Sequence, residues 1–347
     1  MTNTPPSCDI FCVVVDNYGD AGVCWRLARQ LADEYGWRVR LWIDNPVPLQ
    51  RLAPEHALGP VDVRLWPGPW LATDTADVVI EAFACELPPI YVESMATRSQ
   101  PPVWLNLEYL SAENWVAGCH GLPSPHPRLP LVKHFFFPGF SINTGGLLRE
   151  RDYDARRQAF DETAFRAEFD LPAKAADELT ISLFSYDNPA LPALVKAWTN
   201  SEQPIRVLRP GSAEAASMDG NLSLHPLPFL PQQRYDELLW ACDLNFVRGE
   251  DSFVRAQWAG KPFVWHIYPQ TDDAHRAKLD AFLAIHPASS QLDASWHAWN
   301  GVGTPDWPDF AVRLPNLGAP LQQWANTLAA QPDLASRLVQ FCVGRLK

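Results

Sequence analysis

The stretch from Cys8 to Val15 is a β-branched and apolar run of buried-strand length, followed by a polar glycine turn. The stretch GVCWRLARQLADEYG then carries Val23, Leu27 and Leu31 at helical spacing, with Trp25 and Ala28 less regular. Gly36 stops this helix at a position that favours positive φ, and Arg38 to Ile43 reads as a second strand ending at Asp44. Strand, turn, helix and strand make a βαβ crossover, which predicts a parallel sheet. Further strands are expected at Val61 to Leu65, Val78 to Ile80 and Val103 to Leu107.

From about residue 139 to 174 the pattern turns polar and charged, with FSINTGGLLRERDYDARRQAF offering little to a core, and the interdomain connection is placed there. The α/β rhythm resumes with strands at Leu179 to Phe184, Ile205 to Leu208 and Leu244 to Val247. Helices are expected at Leu191 to Trp198, Tyr235 to Ala241 and Phe253 to Trp258. The division is therefore residues 1–150 as a first Rossmann-like domain, 151–174 as a linker and 175–320 as a second such domain. Residues 321–347 are left as terminal helices able to pack back on the first domain. Two α/β domains facing a central cleft would put their ligand crevices at the carboxyl ends of the strands.

Composition narrows the possible partners. Of 347 residues, 47% are hydrophobic and 20% charged, as in ordinary globular proteins, with 15 Trp and 33 Pro. Lys plus Arg number 28 against 40 Asp plus Glu, and a net charge of −12 opposes binding to nucleic acid or an anionic membrane. Seven scattered cysteines without a CxxC pair suggest reduced thiols. The N-terminus has neither the basic region nor the apolar length of an export signal, so a cytoplasmic location is expected.

Two segments at strand ends carry more polar chemistry than packing requires. In DNYGDAG, Asp16 and Asp20 flank a turn in which Gly19 and Gly22 permit close approach of a ligand. Either Asp20 or Asn17 merely caps the helix, or one carboxylate orients a nucleophile while the other accepts its proton. Asp44 sits where a ribose-binding acid would in a dinucleotide site, but the glycines do not match G-x-G-x-x-G and Asp20 stands where a phosphate would dock. A nicotinamide-dependent reductase is thereby reduced to an alternative. A two-lobe ligand-binding protein is another, although its exported versions would carry a signal.

In the second segment, Arg248-Gly249-Glu250-Asp251-Ser252 joins a strand to a helix, where an arginine fork and a helix start suit a diphosphate. Tyr186 follows the first strand of the second half and offers a face for a nucleobase. Gln232, in the loop Phe229 to Gln233, is able to read a pyrimidine edge. Asp152-Tyr153-Asp154 imitates an Asp-x-Asp metal motif but lies in the charged connector, where it reads as solvated linker, and no other cluster suggests Mg²⁺.

The segments DNYGDAGVCWRLARQL, IEAFACELP, NLEYLSAE, GGLLRERDY and RGEDSFVRAQWAGKPFVWHIYPQ, in this order, closely resemble the bacterial protein-arginine rhamnosyltransferases that act on elongation factor P. The resemblance implies a GT-B architecture, dTDP-β-L-rhamnose as donor, inversion, no metal or other cofactor, and one arginine of the translation factor as acceptor. It puts the catalytic carboxylates on Asp16 and Asp20, with Asp20 the base, and a third acid on Glu250. It assigns Arg248, Asp251 and Ser252 to the diphosphate, Tyr186 to thymine stacking, Phe229 and Gln232 to base recognition, and Asn17 and Gly19 to positions beside the sugar. Between Ser212 and Ser223 the chain is shorter than the family pattern.

Overall fold

The computed structural model describes residues 4–66, 75–270 and 273–346. The chain divides into two compact units, residues 1–151 with 331–347, and residues 152–330.

The first unit is built on a sheet of seven strands: β1 (Ser7–Cys12), β2 (Arg38–Ile43), β3 (Asp62–Leu65), β4 (Val78–Ala82), β5 (Val103–Leu107), β6 (Pro123–Pro125) and β7 (Val132–Phe136). Their order is β3-β2-β1-β4-β5-β7-β6, parallel except for β6. The second unit has β8 (Leu179–Leu183), β9 (Ile205–Pro210), β10 (Ser217–Asp219), β11 (Leu222–Leu227), β12 (Leu244–Arg248) and β13 (Phe263–His266). These lie in the order β10-β11-β9-β8-β12-β13, with only β10 antiparallel. In both sheets the chain winds outward one way from the first strand and then reverses, between β1 and β4 and between β8 and β12. Such switch points are where doubly wound sheets bind ligands, at the carboxyl ends of the strands.

Strands covered on both faces are buried along their length, as β1, β4, β5 and β8 are, and their few polar side chains are paired inside, Asp9 with Arg40, Glu81 with Lys133 and Ser182 with Asn245. One face of the first sheet packs Phe11, Trp42, Trp66, Tyr91, Met95 and Trp104 together. The second unit has its own aromatic core, with Phe253 stacked on Trp265 at 3.8 Å and Phe282 on Trp296 at 5.7 Å. The abundant tryptophans are thus largely core residues: Trp25, Trp198 and Trp296 are at most 2% exposed.

Most expected elements are present with adjusted ends. The strand expected over Cys8 to Val15 stops at Cys12, because the Val14 N–H goes to the Asp44 carboxylate at 2.9 Å and that of Val15 to Asp20 at 2.8 Å. Side chains take the place of the ladder there, and the chain leaves the sheet. The first helix, Asn17–Tyr35, ends at Gly36 with φ +67°, whose N–H returns to the Ala32 carbonyl at 3.1 Å.

The domain division needs two corrections. Residues 151–174, expected to be a solvated linker, contain helices Tyr153–Gln158 and Glu162–Glu168 that belong to the second unit. Tyr153 is 1% exposed and accepts from the Trp240 indole at 2.8 Å, while Arg156 reaches the buried Asp236–Arg255 pair. A short helix with one anchored side reads as polar in sequence, yet its few inward groups dock it. The C-terminal segment also divides: helix Gly318–Ala329 stays with the second unit, where Trp324 donates to Gln257 at 2.8 Å. Helix Leu334–Val343 joins the first, its Asp333 cap taking a hydrogen bond from Gln30 at 3.0 Å.

Candidate active site

In the first unit, the turn after β1 is organised by one carboxylate. Asp20 lies in the first turn of helix Asn17–Tyr35 and is 1% exposed. Its Oδ2 accepts from the backbone N–H groups of Val15 at 2.8 Å and Asp16 at 2.7 Å. An ordinary cap accepts from N–H groups inside the helix, whereas Asp20 turns back to hold the residues before it. Burial raises its pKa, opposed by those two N–H groups and by the Tyr109 hydroxyl, with the Asp44 charge adding to the rise. Asp16, half-buried at the N-cap, makes no capping bond with its side chain. Its carboxylate folds over Gly19, where a Cβ would stand 2.5 Å from Oδ2, and its carbonyl accepts from the Gly19 N–H at 2.6 Å. A side chain at 19 would therefore push the Asp16 carboxylate out of this position. Asn17 is exposed and takes the unusual φ of +28°. Asp44, the residue resembling a ribose-binding acid, is tied to the Val14 N–H.

The turn has neighbours that sequence reasoning did not single out. Phe83 and Ala84, just past β4, have φ of +59° and +56°. Tyr109, two residues past β5, stacks on Phe83 with ring centroids 4.3 Å apart and planes 12° from parallel. Both motifs were visible as IEAFACELP and NLEYLSAE, yet nothing in their spacing ties them to Asp20. The β1-β4-β5 order of the sheet does that.

In the second unit, Arg248 ends β12 and Gly249 follows with φ +60°. The guanidinium donates to the Ser185 carbonyl at 3.1 Å and lies 4.3 Å from the Phe184 ring centroid and 4.7 Å from that of Tyr186. An arginine on two aromatic faces has its guanidinium plane held in place. Tyr186 is bordered edge-on by His266 at 5.2 Å and Tyr268 at 5.6 Å. Glu250 occupies the N-cap of helix Asp251–Ala259 and makes no capping bond with its side chain. Asp251 accepts from Gln232 at 3.0 Å, which joins two residues expected at the nucleotide, and Phe229 packs half-buried beside Gly211. The Ser252 hydroxyl receives the Arg248 N–H at 3.0 Å and donates to the Arg248 carbonyl at 2.5 Å. These two bonds tighten the turn.

His266, at the end of β13, is a further neighbour not anticipated. Burial and the Arg248 charge push it down to about 4, so it faces Tyr186 uncharged at neutral pH. Asp152 is exposed and pairs with Arg156 at 3.2 Å. Among the described residues no three His, Cys, Asp or Glu side chains converge as a metal site, and no helix is long and apolar enough to cross a membrane.

Two doubly wound parallel sheets, with an acidic turn at the switch point of one and an arginine-bearing strand-to-helix turn at that of the other, define a glycosyltransferase of the GT-B class. The calicheamicin glycosyltransferase CalG4 shares this fold over 99% of both chains, with a TM-score of 0.55 at 13% identity. The model of the family described as "Elongation-Factor P (EF-P) rhamnosyltransferase EarP" matches residues 8–343, and the chain belongs to that family. A protein-arginine rhamnosyltransferase of Pseudomonas putida is 47% identical over 96% of this chain and 97% of its own. A solved structure, described as the structural basis for EarP-mediated arginine glycosylation of translation elongation factor EF-P, matches 98% of this chain and 99% of its own. Its TM-score is 0.68 at 34% identity.

Proposed function

We propose that this enzyme transfers L-rhamnose from dTDP-β-L-rhamnose to one arginine side chain of elongation factor P, with inversion and without a metal. The observation that carries the reading is Asp20, a buried carboxylate at a strand end whose proton affinity is raised by its surroundings. A guanidinium is protonated at physiological pH and its lone pairs are delocalised, so it attacks only if a base removes a proton as the new bond forms. A guanidinium nitrogen bonds to the anomeric carbon from the face opposite the diphosphate. The carbon–oxygen bond to dTDP breaks, and the nitrogen's proton passes to Asp20.

Asp16, beside it and bent over Gly19, binds the cation and turns it toward the sugar. Asn17 and Gly19 border the sugar. In the second unit Arg248 and the start of helix Asp251–Ala259 take the charge that develops on the departing diphosphate. Tyr186 stacks on thymine, Phe229 and the Gln232–Asp251 pair read its edge, and Glu250 holds the sugar side of the turn.

The test is the intact mass of elongation factor P after incubation with the enzyme and dTDP-β-L-rhamnose. A gain of one deoxyhexose, mapped to a single arginine and carrying the α configuration by NMR, is the expected result. No gain with this donor, or transfer to a different side chain, overturns the reading.

A further inference from the structure

We infer that Tyr109 is a positioning residue for the reaction, holding the Asp20 carboxylate in its working orientation from a shelf made by the Phe83 ring. The inference deepens the proposed function and rests on its choice of Asp20 as base.

Asp20 belongs to the turn after β1, Phe83 follows β4 and Tyr109 follows β5, so three adjacent strand ends meet at one carboxylate. The Val15 and Asp16 N–H groups fix one carboxylate oxygen, Oδ2, from the chain side. Both of those bonds come from the chain segment just before the helix. The Tyr109 hydroxyl hydrogen-bonds the same carboxylate from a different element, so its orientation is set from two sides. Tyr109 itself lies nearly parallel on the Phe83 ring at 4.3 Å.

The backbone that presents Phe83 is strained. Two consecutive non-glycine residues with positive φ are costly and persist only where surrounding bonds impose them. Those bonds are present: Phe83 N–H to the Leu107 carbonyl at 2.7 Å and Ala84 N–H to Asn106 Oδ1 at 3.1 Å. Asn106 in turn donates to Glu108 at 2.5 Å, so the residue beside Tyr109 is fastened to the same bend. The strain places an aromatic face under Tyr109, and packing of the remaining core does not require it, since Phe83 is only half-buried.

The groups that bear on Asp20 are Tyr109, the Asp44 carboxylate, the Cys24 thiol and the N–H groups of Val15 and Asp16. Of the side chains among these, Tyr109 donates a hydrogen bond to the carboxylate, and a donor favours the charged form. Tyr109→Phe should lower kcat by about ten- to a hundredfold, the usual range for one hydrogen bond to a charged group. KM for the donor sugar should be unchanged, and the acid limb of the kcat–pH profile should move to higher pH. Phe83→Leu, which keeps an apolar contact but loses the flat face, should give a smaller loss and a shift in the same direction. A purely structural role would lower activity equally at all pH values, and an unmoved acid limb with either full or uniformly reduced activity overturns the inference.

A second measurement does not depend on turnover. In protein labelled with 13C at aspartate carboxyls, with Asp20 assigned by its loss in Asp20→Asn, the Asp20 midpoint should rise in Tyr109→Phe; an unmoved midpoint overturns the inference. If the wild-type enzyme moved no rhamnose to elongation factor P, the proposed function would fall, while this titration would still judge Tyr109.

Discussion

At the residue scale the chemistry proposed for the first unit lies in the turn from Asp16 to Asp20. Asp20→Asn keeps an oxygen to accept the Val15 and Asp16 N–H groups but cannot take a proton at neutral pH. Transfer should fall by roughly 10²- to 10⁴-fold while dTDP affinity, measured by calorimetry, stays as it was. Because burial raises the Asp20 pKa, the folded state holds its proton to higher pH than the unfolded chain does. The charge is therefore a liability above that range, and the Asn variant should melt no lower than wild type at pH 8. Gly19→Ala probes the other acid. The new methyl group would stand 2.5 Å from Asp16 Oδ2, so the Asp16 carboxylate must move. Transfer should drop with dTDP binding intact, and a variant as active as wild type would show that the orientation of Asp16 does not matter.

Elements in the second unit show how aromatic packing sets a histidine's behaviour. His286 is 3% exposed, packed among Phe263, Phe282, Trp296 and Trp324, and among the described residues neither ring nitrogen has a hydrogen-bond partner. Burial pushes it down to about 4 from 6.5. Between those values the unfolded chain binds a proton that the folded unit refuses, so stability falls as pH drops through the window, by up to about 3 kcal/mol at its lower end. His286→Phe should remove that share of the acid sensitivity and cost little at pH 7. Urea unfolding of both proteins at pH 7 and pH 5 measures it: the gap between the two pH values should narrow in the variant. The same packing logic explains helix Tyr153–Gln158, where Tyr153 and Arg156 dock a charged sequence onto the Trp240 and Asp236–Arg255 cluster.

For the whole molecule the expectation is a division of labour between units. Arg248→Ala should weaken dTDP binding by about 1.5–3 kcal/mol, the range for a hydrogen bond to a charged group, whereas Asp16→Ala should spare it and damage transfer. Equal losses of dTDP affinity in the two variants would contradict the placement of donor and acceptor chemistry on separate units. With diphosphate charge met by Arg248 and the start of helix Asp251–Ala259, turnover should persist unchanged in excess EDTA. Loss of activity restored by Mg²⁺, and mimicked by Asp152→Ala, would overturn the metal-free reading and turn the exposed Asp152 from an ion-pair partner of Arg156 into a metal ligand.

The α/β class, the two sheets and both strand-end motifs were legible in the sequence because each depends on local order. A buried parallel strand is mostly apolar over its few residues, and a turn that feeds a helix carries its glycines and acceptors within a few residues. Asp16 to Asp20 and Arg248 to Ser252 are such segments. What the sequence could not show is which distant residues meet them. Tyr109 is 89 residues from Asp20, and only the reversal of strand order at β1 and β4 brings it there, lying on a Phe83 whose backbone no propensity would assign to positive φ. The two bonds by which the Ser252 hydroxyl closes the turn on Arg248 likewise appear only in the fold. Residues 151–174 read as solvent-exposed linker because a short docked helix buries too few side chains to leave a period. Pattern along the chain records what each segment buries, whereas hydrogen bonds between strand ends depend on the order in which the strands assemble, and that order is set by the packing of the whole sheet.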